Sequence, residues 1–317
     1  MATIERVLVI GAGVIGLSTA VTLAESGVPV RVRTDQRPAE TTSAVAGAMW
    51  GPALLRPAER VRRWVADSYP RLVALAADES TGVHLAAGRM AARVDLGDQV
   101  PPEALLLPDL RPCTPGELPE GFRSGYRATA PLIDMPRYLE HLTGRFLAAG
   151  GELLLSPVSS LAEAVEEASR IVDCTGVGAR ELVGDPGVRP VRGQHVIVRN
   201  PGLDEYFVEV GGAEEFTAWF PHGDRVVLGG VAVEHDWSRV PDRATGAAIL
   251  RRCAQAEPRL AGAEVLGQQV GLRPGREAVR LEVERIGGAT VVHNYGHSGA
   301  GVALSWGCAA EAAELLG

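Results

Sequence analysis

The stretch RVLVIGAGVIGLSTAVTLAESGVPVRVRTD, residues 6–35, decides how the rest of the chain is read. Arg6–Ile10 is a short apolar run ahead of glycines, the pattern of a strand buried on both faces. Val14–Ser26 has the length and composition of a helix, and Gly27 is placed to end it. Val28–Arg33 reads as a second strand. Between the first strand and the helix stands Gly11-Ala-Gly13-Val-Ile-Gly16. Gly11 permits the tight turn, Gly13 lets a pyrophosphate approach the backbone, and Gly16 lets helix and strand pack closely. The free N–H groups and dipole of the helix start favour phosphate. Asp35 lies 22 residues past Gly13, where a carboxylate can accept hydrogen bonds from a ribose hydroxyl. It falls slightly beyond the strand end expected at Arg33. This context marks a dinucleotide-binding unit, and the glycines alone do not separate FAD from NAD.

Outward from this unit the composition is that of an ordinary globular protein. The 317 residues are 46% hydrophobic and 22% charged, enough for one large α/β domain or two interleaved ones. The net charge of −8 comes with no basic stripe and no basic amphipathic face, which argues against nucleic-acid or membrane-surface binding. Cys113, Cys174, Cys253 and Cys308 are too scattered for a disulfide framework or a zinc site. They read as the reduced thiols of a cytoplasmic protein without a bound metal. Met1–Arg6 runs into the first strand without the features of a signal peptide, and no apolar run reaches the roughly 18 residues of a membrane span.

Alternation of strand and helix resumes later. Arg37–Pro57 reads as loop, Val61–Ala76 as a helix with a break or kink at Pro70, and Gly82–Ala130 as short strands with Pro-rich turns. Met135–Ala149 and Leu161–Ser169 read as helices, Glu152–Leu155 and Ile171–Cys174 as strands. Gln194–Val198, Tyr206–Val210, Phe216–Phe220 and Arg225–Val233 suggest an antiparallel sheet. Ala244–Gln255 is a helix, Thr290–His293 a strand, and Val302–Leu315 the last helix. The expected fold is α/β, a Rossmann-type domain interleaved with a mostly antiparallel β domain. The expected boundaries are 1–52, 131–190 and 265–317 for the first, and 53–130 and 191–264 for the second.

Three further segments carry chemistry. Thr41-Thr42-Ser43-Ala-Val-Ala-Gly47-Ala48-Met49-Trp50 offers hydroxyls for a second phosphate and small residues beside which a flat ring can pass. Gly271-Leu272-Arg273-Pro274-Gly275-Arg276 sets two arginines beside a stiff turn. His293-Asn-Tyr295-Gly296-His297-Ser298-Gly299-Ala-Gly301 leads into the last helix.

In this order, with Cys174-Thr175-Gly176, Arg192-Gly193-Gln194 and Leu228-Gly229-Gly230, these segments resemble the D-amino-acid oxidase family of FAD enzymes, in its bacterial form. The resemblance spans nearly the whole chain. It implies FAD shared between the two domains, and oxidative deamination of D-amino acids by hydride transfer to flavin N5, with dioxygen as acceptor. Glycine or sarcosine oxidation, D-aspartate oxidation, and non-catalytic flavin binding are the alternatives. The implied partners are a small amino acid and dioxygen, and a homodimer is allowed.

By position, the resemblance puts Gly11, Gly13, Val14, Ile15 and Gly16 at the pyrophosphate, Asp35 and Gln36 at the adenosine ribose, and Val158 at the adenine with Thr175 nearby. Thr41, Thr42, Ser43, Gly47, Ala48 and Met49 would line pyrophosphate and flavin. Ser298, Gly299, Gly301, Val302 and Ala303 would bracket the isoalloxazine. Arg273 would clamp the substrate carboxylate, for which a planar guanidinium is suited, and the Gly299 carbonyl would take the amino group. Arg276, Arg280, His293 and His297 read as structural or supporting, and Trp50, Trp64 and Trp306 as core. The sequence departs from the family at the substrate mouth. Glu214 and Ala218 stand where it usually has tyrosines, Ala300 replaces a Tyr, and Ser298 replaces a Gly. With Phe216, Trp219 and Phe220 near, the mouth should be roomy and apolar. Glu214 and Glu215 would repel an acidic side chain if they face it.

Overall fold

The computed structural model describes residues 6–97, 100–211 and 214–317. Met1–Glu5, most of the stretch examined for a signal peptide, lies outside them. The opening unit forms β1 (Val7–Ile10), α1 (Val14–Glu25) and β2 (Val30–Thr34). Gly27 follows the helix at φ 86°, the left-handed conformation expected of its terminator. Asp35 is the residue directly after β2. Next come β3 (Ala48–Met49), α2 (Ala58–Leu75), β4 (Val83–Ala92), β5 (Arg111–Pro112) and β6 (Ser124–Ile133). Then follow α3 (Met135–Ala148), β7 (Glu152–Leu155), α4 (Leu161–Glu167), β8 (Arg170–Asp173) and α5 (Ala179–Leu182). β9 (Arg189–Arg199), β10 (Tyr206–Glu209), β11 (Glu215–His222), β12 (Arg225–Val231) and β13 (Val233–Glu234) precede α6 (Arg243–Ala256). The chain ends with β14 (Val265–Gly275), β15 (Arg280–Ile286), β16 (Ala289–Tyr295) and α7 (Gly301–Leu316).

Two sheets result. The first has the order β15-β16-β8-β1-β2-β7, parallel except for β15. Alternation along β1 sends Val7 and Val9 toward Leu17 of α1, Leu142 of α3 and Leu304 of α7, while Leu8 and Ile10 meet Ala164 of α4. Both faces are therefore covered, as a parallel sheet requires. The second sheet runs β13-β9-β12-β11-β10-β4-β6-β3, with β14 along the far side of β9 and β5 on β6. Only the β4–β10 pair is parallel within it. One of its faces packs Val196, Val198, Trp219 and Leu228 against Ile249 and Cys253 of α6; the other turns Ala218, Phe220 and Val227 toward the large core shared with the first sheet. The site lies along that second face.

Three sequence expectations are corrected and one strand is added. Arg273-Pro274 is not beside a turn: residues 265–275 form one long edge strand, paired over its length with β9. Pro274 is tolerated because, among the described residues, no second strand pairs with the other side of β14. β15 was not foreseen; its run of charges hides the period of a strand paired only with β16. α2 continues through Pro70 instead of breaking there. Trp219 faces away from the mouth and stacks on Phe207, with ring centroids 4.5 Å apart. The three other tryptophans singled out, Trp50, Trp64 and Trp306, are buried as expected, and all four cysteines are free.

Candidate active site

The glycine turn behaves as its spacing demands. Gly11 holds φ 102°, and a Cβ there would lie 2.6 Å from the Cys174 carbonyl. A Cβ on Gly16 would sit 1.9 Å from the Gly11 carbonyl, so only glycine allows α1 to start this close to β1. Gly13, the residue before α1, has no side chain to cap the helix, which leaves the N–H groups that follow Val14 for a phosphate. Ser43, brought in by the loop after β2, accepts from the Val14 N–H at 3.0 Å, and a Cβ on Gly13 would be 3.1 Å from its Oγ. The hydroxyl segment thus stands at the helix start. Thr41 closes its own turn on the Pro38 carbonyl, and Thr42 Oγ1 bridges to both backbone groups of Leu272 at 3.3 Å, tying this loop to β14. Thr175 lies beside the glycine turn, its hydroxyl donating to Asp173 at 2.7 Å. Asp173 also faces His293, which reaches Glu284 with its other nitrogen, so His293 braces the sheet as expected.

Along the same edge of the parallel sheet, Asp35 is exposed and Gln36 partly buried at the end of β2, and partly buried Val158 follows β7, the strand paired with β2. Arg33 donates to the carbonyls of Ser156 and Pro157 and so shapes the approach to Val158. These residues form a cluster of their own, separate from the one around Arg273. That separation suits a long dinucleotide.

The Arg273 cluster was only partly legible. The half-buried Arg273 runs its guanidinium across β9 where Gly193 has no side chain; a Cβ there would be 2.5 Å from Nη1. Nη1 donates to the Val231 carbonyl at 3.0 Å, and no carboxylate pairs with it among the described residues. That carbonyl is free because β12 parts from β9 after Leu228 and pairing resumes only at Val233. Burial pushes the guanidinium pKa down to about 10. Arg276 and Arg280, by contrast, are satisfied by Asp185 and by Glu282, Glu284 and Tyr295.

The loop before α7 is fastened to the same strand. Ser298 adopts φ 49°, the left-handed region in which glycine is the usual occupant, and its N–H donates to the Pro274 carbonyl at 3.0 Å. A Cβ on Gly299 would lie 3.5 Å from Arg273 Cδ, so the two residues expected to hold substrate are neighbours. α7 starts at Gly301 without a side-chain cap, and a Cβ on Gly301 would touch Val14 at 3.8 Å. The starts of α1 and α7 therefore converge, with Val302 and Ala303 buried in the first turn of α7. Gly47 passes beneath Phe220, and Ala48 and Met49 pair with β6.

His195 was missed. It lies two residues from Gly193 and hence on the same face of β9. Its Nδ1 must carry the proton, since its partner at 2.9 Å is the Val45 carbonyl. Burial and the nearby Arg273 hold its pKa down to about 4, so it stays neutral beside the clamp. The Arg-Gly-Gln block that precedes it was the available signal. His297 is buried, its Nε2 without a hydrogen-bond partner among the described residues, and burial takes its pKa to about 3, which keeps it neutral too.

The residues fit a dinucleotide with a flat ring. Two helix starts that lack a cap from their own N-terminal residue, a glycine turn that a Cβ would block and a cation without a carboxylate among the described residues all border the same region. Residues 6–315 match the family described as DAO: FAD dependent oxidoreductase. The chain belongs to this family. It is 49% identical to a D-amino-acid oxidase of Rubrobacter xylanophilus, covering 99% of this chain and 96% of that one. It is 46% identical to a D-amino-acid oxidase of Streptomyces coelicolor, covering 98% and 96%. The crystal structure of a glycine oxidase from Bacillus cereus shares the fold with a TM-score of 0.78 at 22% identity, covering 98% and 94%. The DAO-family chain described here is thus an FAD-dependent oxidoreductase. Among its described residues, no helix is long and apolar enough to cross a membrane.

Proposed function

We propose that the protein oxidises D-amino acids, neutral aliphatic or aromatic ones in preference to acidic ones. The products are the keto acid, ammonia and hydrogen peroxide, formed from amino acid, dioxygen and water. The observation that carries the reading is Arg273, a guanidinium beside Gly299 that is bound by one carbonyl and by no carboxylate among the described residues. A substrate carboxylate would take its remaining donors two at a time. The handedness rests on the two relatives named as D-amino-acid oxidases.

In this reading Arg273 fixes the carboxylate and the Gly299 carbonyl accepts from the amino group, which leaves Cα one orientation in the cleft. FAD, when bound, supplies the two-electron acceptor that dioxygen restores. Gly11, Gly13 and Gly16, with Ser43 and the start of α1, hold its pyrophosphate, and Asp35 and Gln36 its ribose. The uncapped N-terminus of α7 favours negative charge at its own end. We assign residues 1–52, 131–190 and 265–317 to the cofactor domain, from which Arg273 and Gly299 reach the substrate, and 53–130 and 191–264 to the substrate domain. We place the protein in the cytoplasm, acting on freely diffusing partners.

The test is anaerobic titration of the purified flavoprotein with paired D- and L-amino acids. Bleaching by neutral D-isomers, followed by peroxide formation on admitting air, is expected. A flavin bleached by no amino acid, or by L-isomers alone, would overturn the proposal.

A further inference from the structure

A cleft of about 760 Å³ is lined by Ser298, Gly275, Ala232 and Glu214. Arg273 adjoins it, without lining it, through Gly275 on its own strand and through the Val231 carbonyl beside Ala232. The cleft wall carries three arginines, each engaged by a carboxylate other than Glu214. Arg56 faces Glu277 at 3.9 Å, Arg189 pairs with Glu234 at 3.1 Å, and Arg276 with Asp185 at 2.9 Å. Glu215 is turned away to Arg252 at 2.7 Å. Glu214 alone among the charged residues of the wall has no ion pair among the described residues. Its backbone is fixed beside the clamp: the Ala232 N–H donates to the Glu214 carbonyl at 2.7 Å, one residue from the Val231 carbonyl that receives Arg273. Leu54, Leu55 and Val233 give the same wall an apolar surface.

A ligand anchored by its carboxylate on Arg273 therefore meets apolar side chains and an uncompensated negative charge. That combination fits an aliphatic stem ending in a cation, which buries its methylenes and keeps its charged end in water. We propose that Glu214 is a specificity-determining residue and that the cleft selects D-amino acids with long cationic side chains over neutral ones of equal length. This rests on the D-amino-acid oxidase reading and extends it, because the neutral side chains that outrank acidic ones are themselves outranked.

The experiment compares kcat/KM for D-lysine, D-norleucine and D-glutamate in the wild type, Glu214→Gln and Glu214→Arg, with flavin content measured for each. Because Glu214 is solvent-exposed, the effect is modest: D-lysine should exceed D-norleucine by about 2- to 5-fold at low salt. The excess should shrink as salt is raised. Glu214→Gln should bring the ratio near one, and Glu214→Arg should reverse it and raise D-glutamate. If D-norleucine is oxidised but the lysine-to-norleucine ratio is no higher in the wild type than in Glu214→Gln, the inference fails and the oxidase reading stands. If no D-amino acid is oxidised at all, both fall. A salt-independent ratio in the wild type would also overturn it, without recourse to a variant.

Discussion

Replacing Arg273 by alanine removes the group on which the proposed chemistry turns, and the structure allows its size to be estimated. The guanidinium spends one donor on the Val231 carbonyl and keeps the others for a ligand. Two charge-assisted hydrogen bonds to a carboxylate, at about 1.5–3 kcal/mol each, give roughly 3–6 kcal/mol, which brackets the roughly 3–5 kcal/mol cost of breaking an enclosed ion pair. At about 1.4 kcal/mol per decade, kcat/KM should fall by roughly two to four powers of ten. Arg273→Lys should recover only part, since a point charge cannot hold two oxygens in one plane. Flavin content should stay near wild type in both, because the glycine turn and Ser43 lie on other segments. Stability should behave in the opposite sense. Burial lowers the pKa of this cation, so its charge is a cost in the free protein, and Arg273→Met should have a Tm equal to or above wild type. The product keto acid should raise Tm in the wild type and not in Arg273→Met. The control is Arg276→Ala, which breaks the pairing with Asp185. Activity kept by Arg273→Ala and lost by Arg276→Ala would refute the assignment.

Gly193→Ala places a Cβ 2.5 Å from the Arg273 guanidinium and should raise KM about 10- to 100-fold with FAD retained; an unchanged KM would show that the clamp lies elsewhere. Gly16→Ala, whose Cβ would meet the Gly11 carbonyl at 1.9 Å, should yield protein without FAD or no folded protein, and a fully flavinylated variant would contradict this reading of the turn. His195, His222 and His297 have pKa values held down to about 4, 3 and 3, chiefly by burial. For a base lowered in the folded state, the unfolded chain takes the proton first. Stability should therefore be full above about pH 6.5 and fall as the pH drops from there toward 4. Tm measured from pH 7 to 4 should show this, and His222→Asn should lessen the decline.

The nucleotide unit could be read from the sequence because its determinants are local. Strand, glycine turn, helix and second strand are consecutive, and the constraints on Gly11 and Gly16 arise within a few residues of each other. The two-sheet architecture was likewise legible, since a strand buried on both faces and a strand with one covered face differ in their periodicity. The residue types that meet at Arg273 were also in view, including the loop Ser298–Gly301. What tertiary structure alone decided is how they meet. The long β14 was hidden by glycine and proline, which punctuate turns in sequence but here sit on a free edge. Gly193 lies under the guanidinium only because of the β9–β14 register, and Val231 offers its carbonyl only because β12 parts from β9. Glu214 and Glu215 are indistinguishable in sequence, yet one lines the cleft and the other pairs with Arg252. Local spacing specifies which groups can bind a nucleotide; whether a charge is paired or left for a ligand depends on contacts between residues distant in sequence.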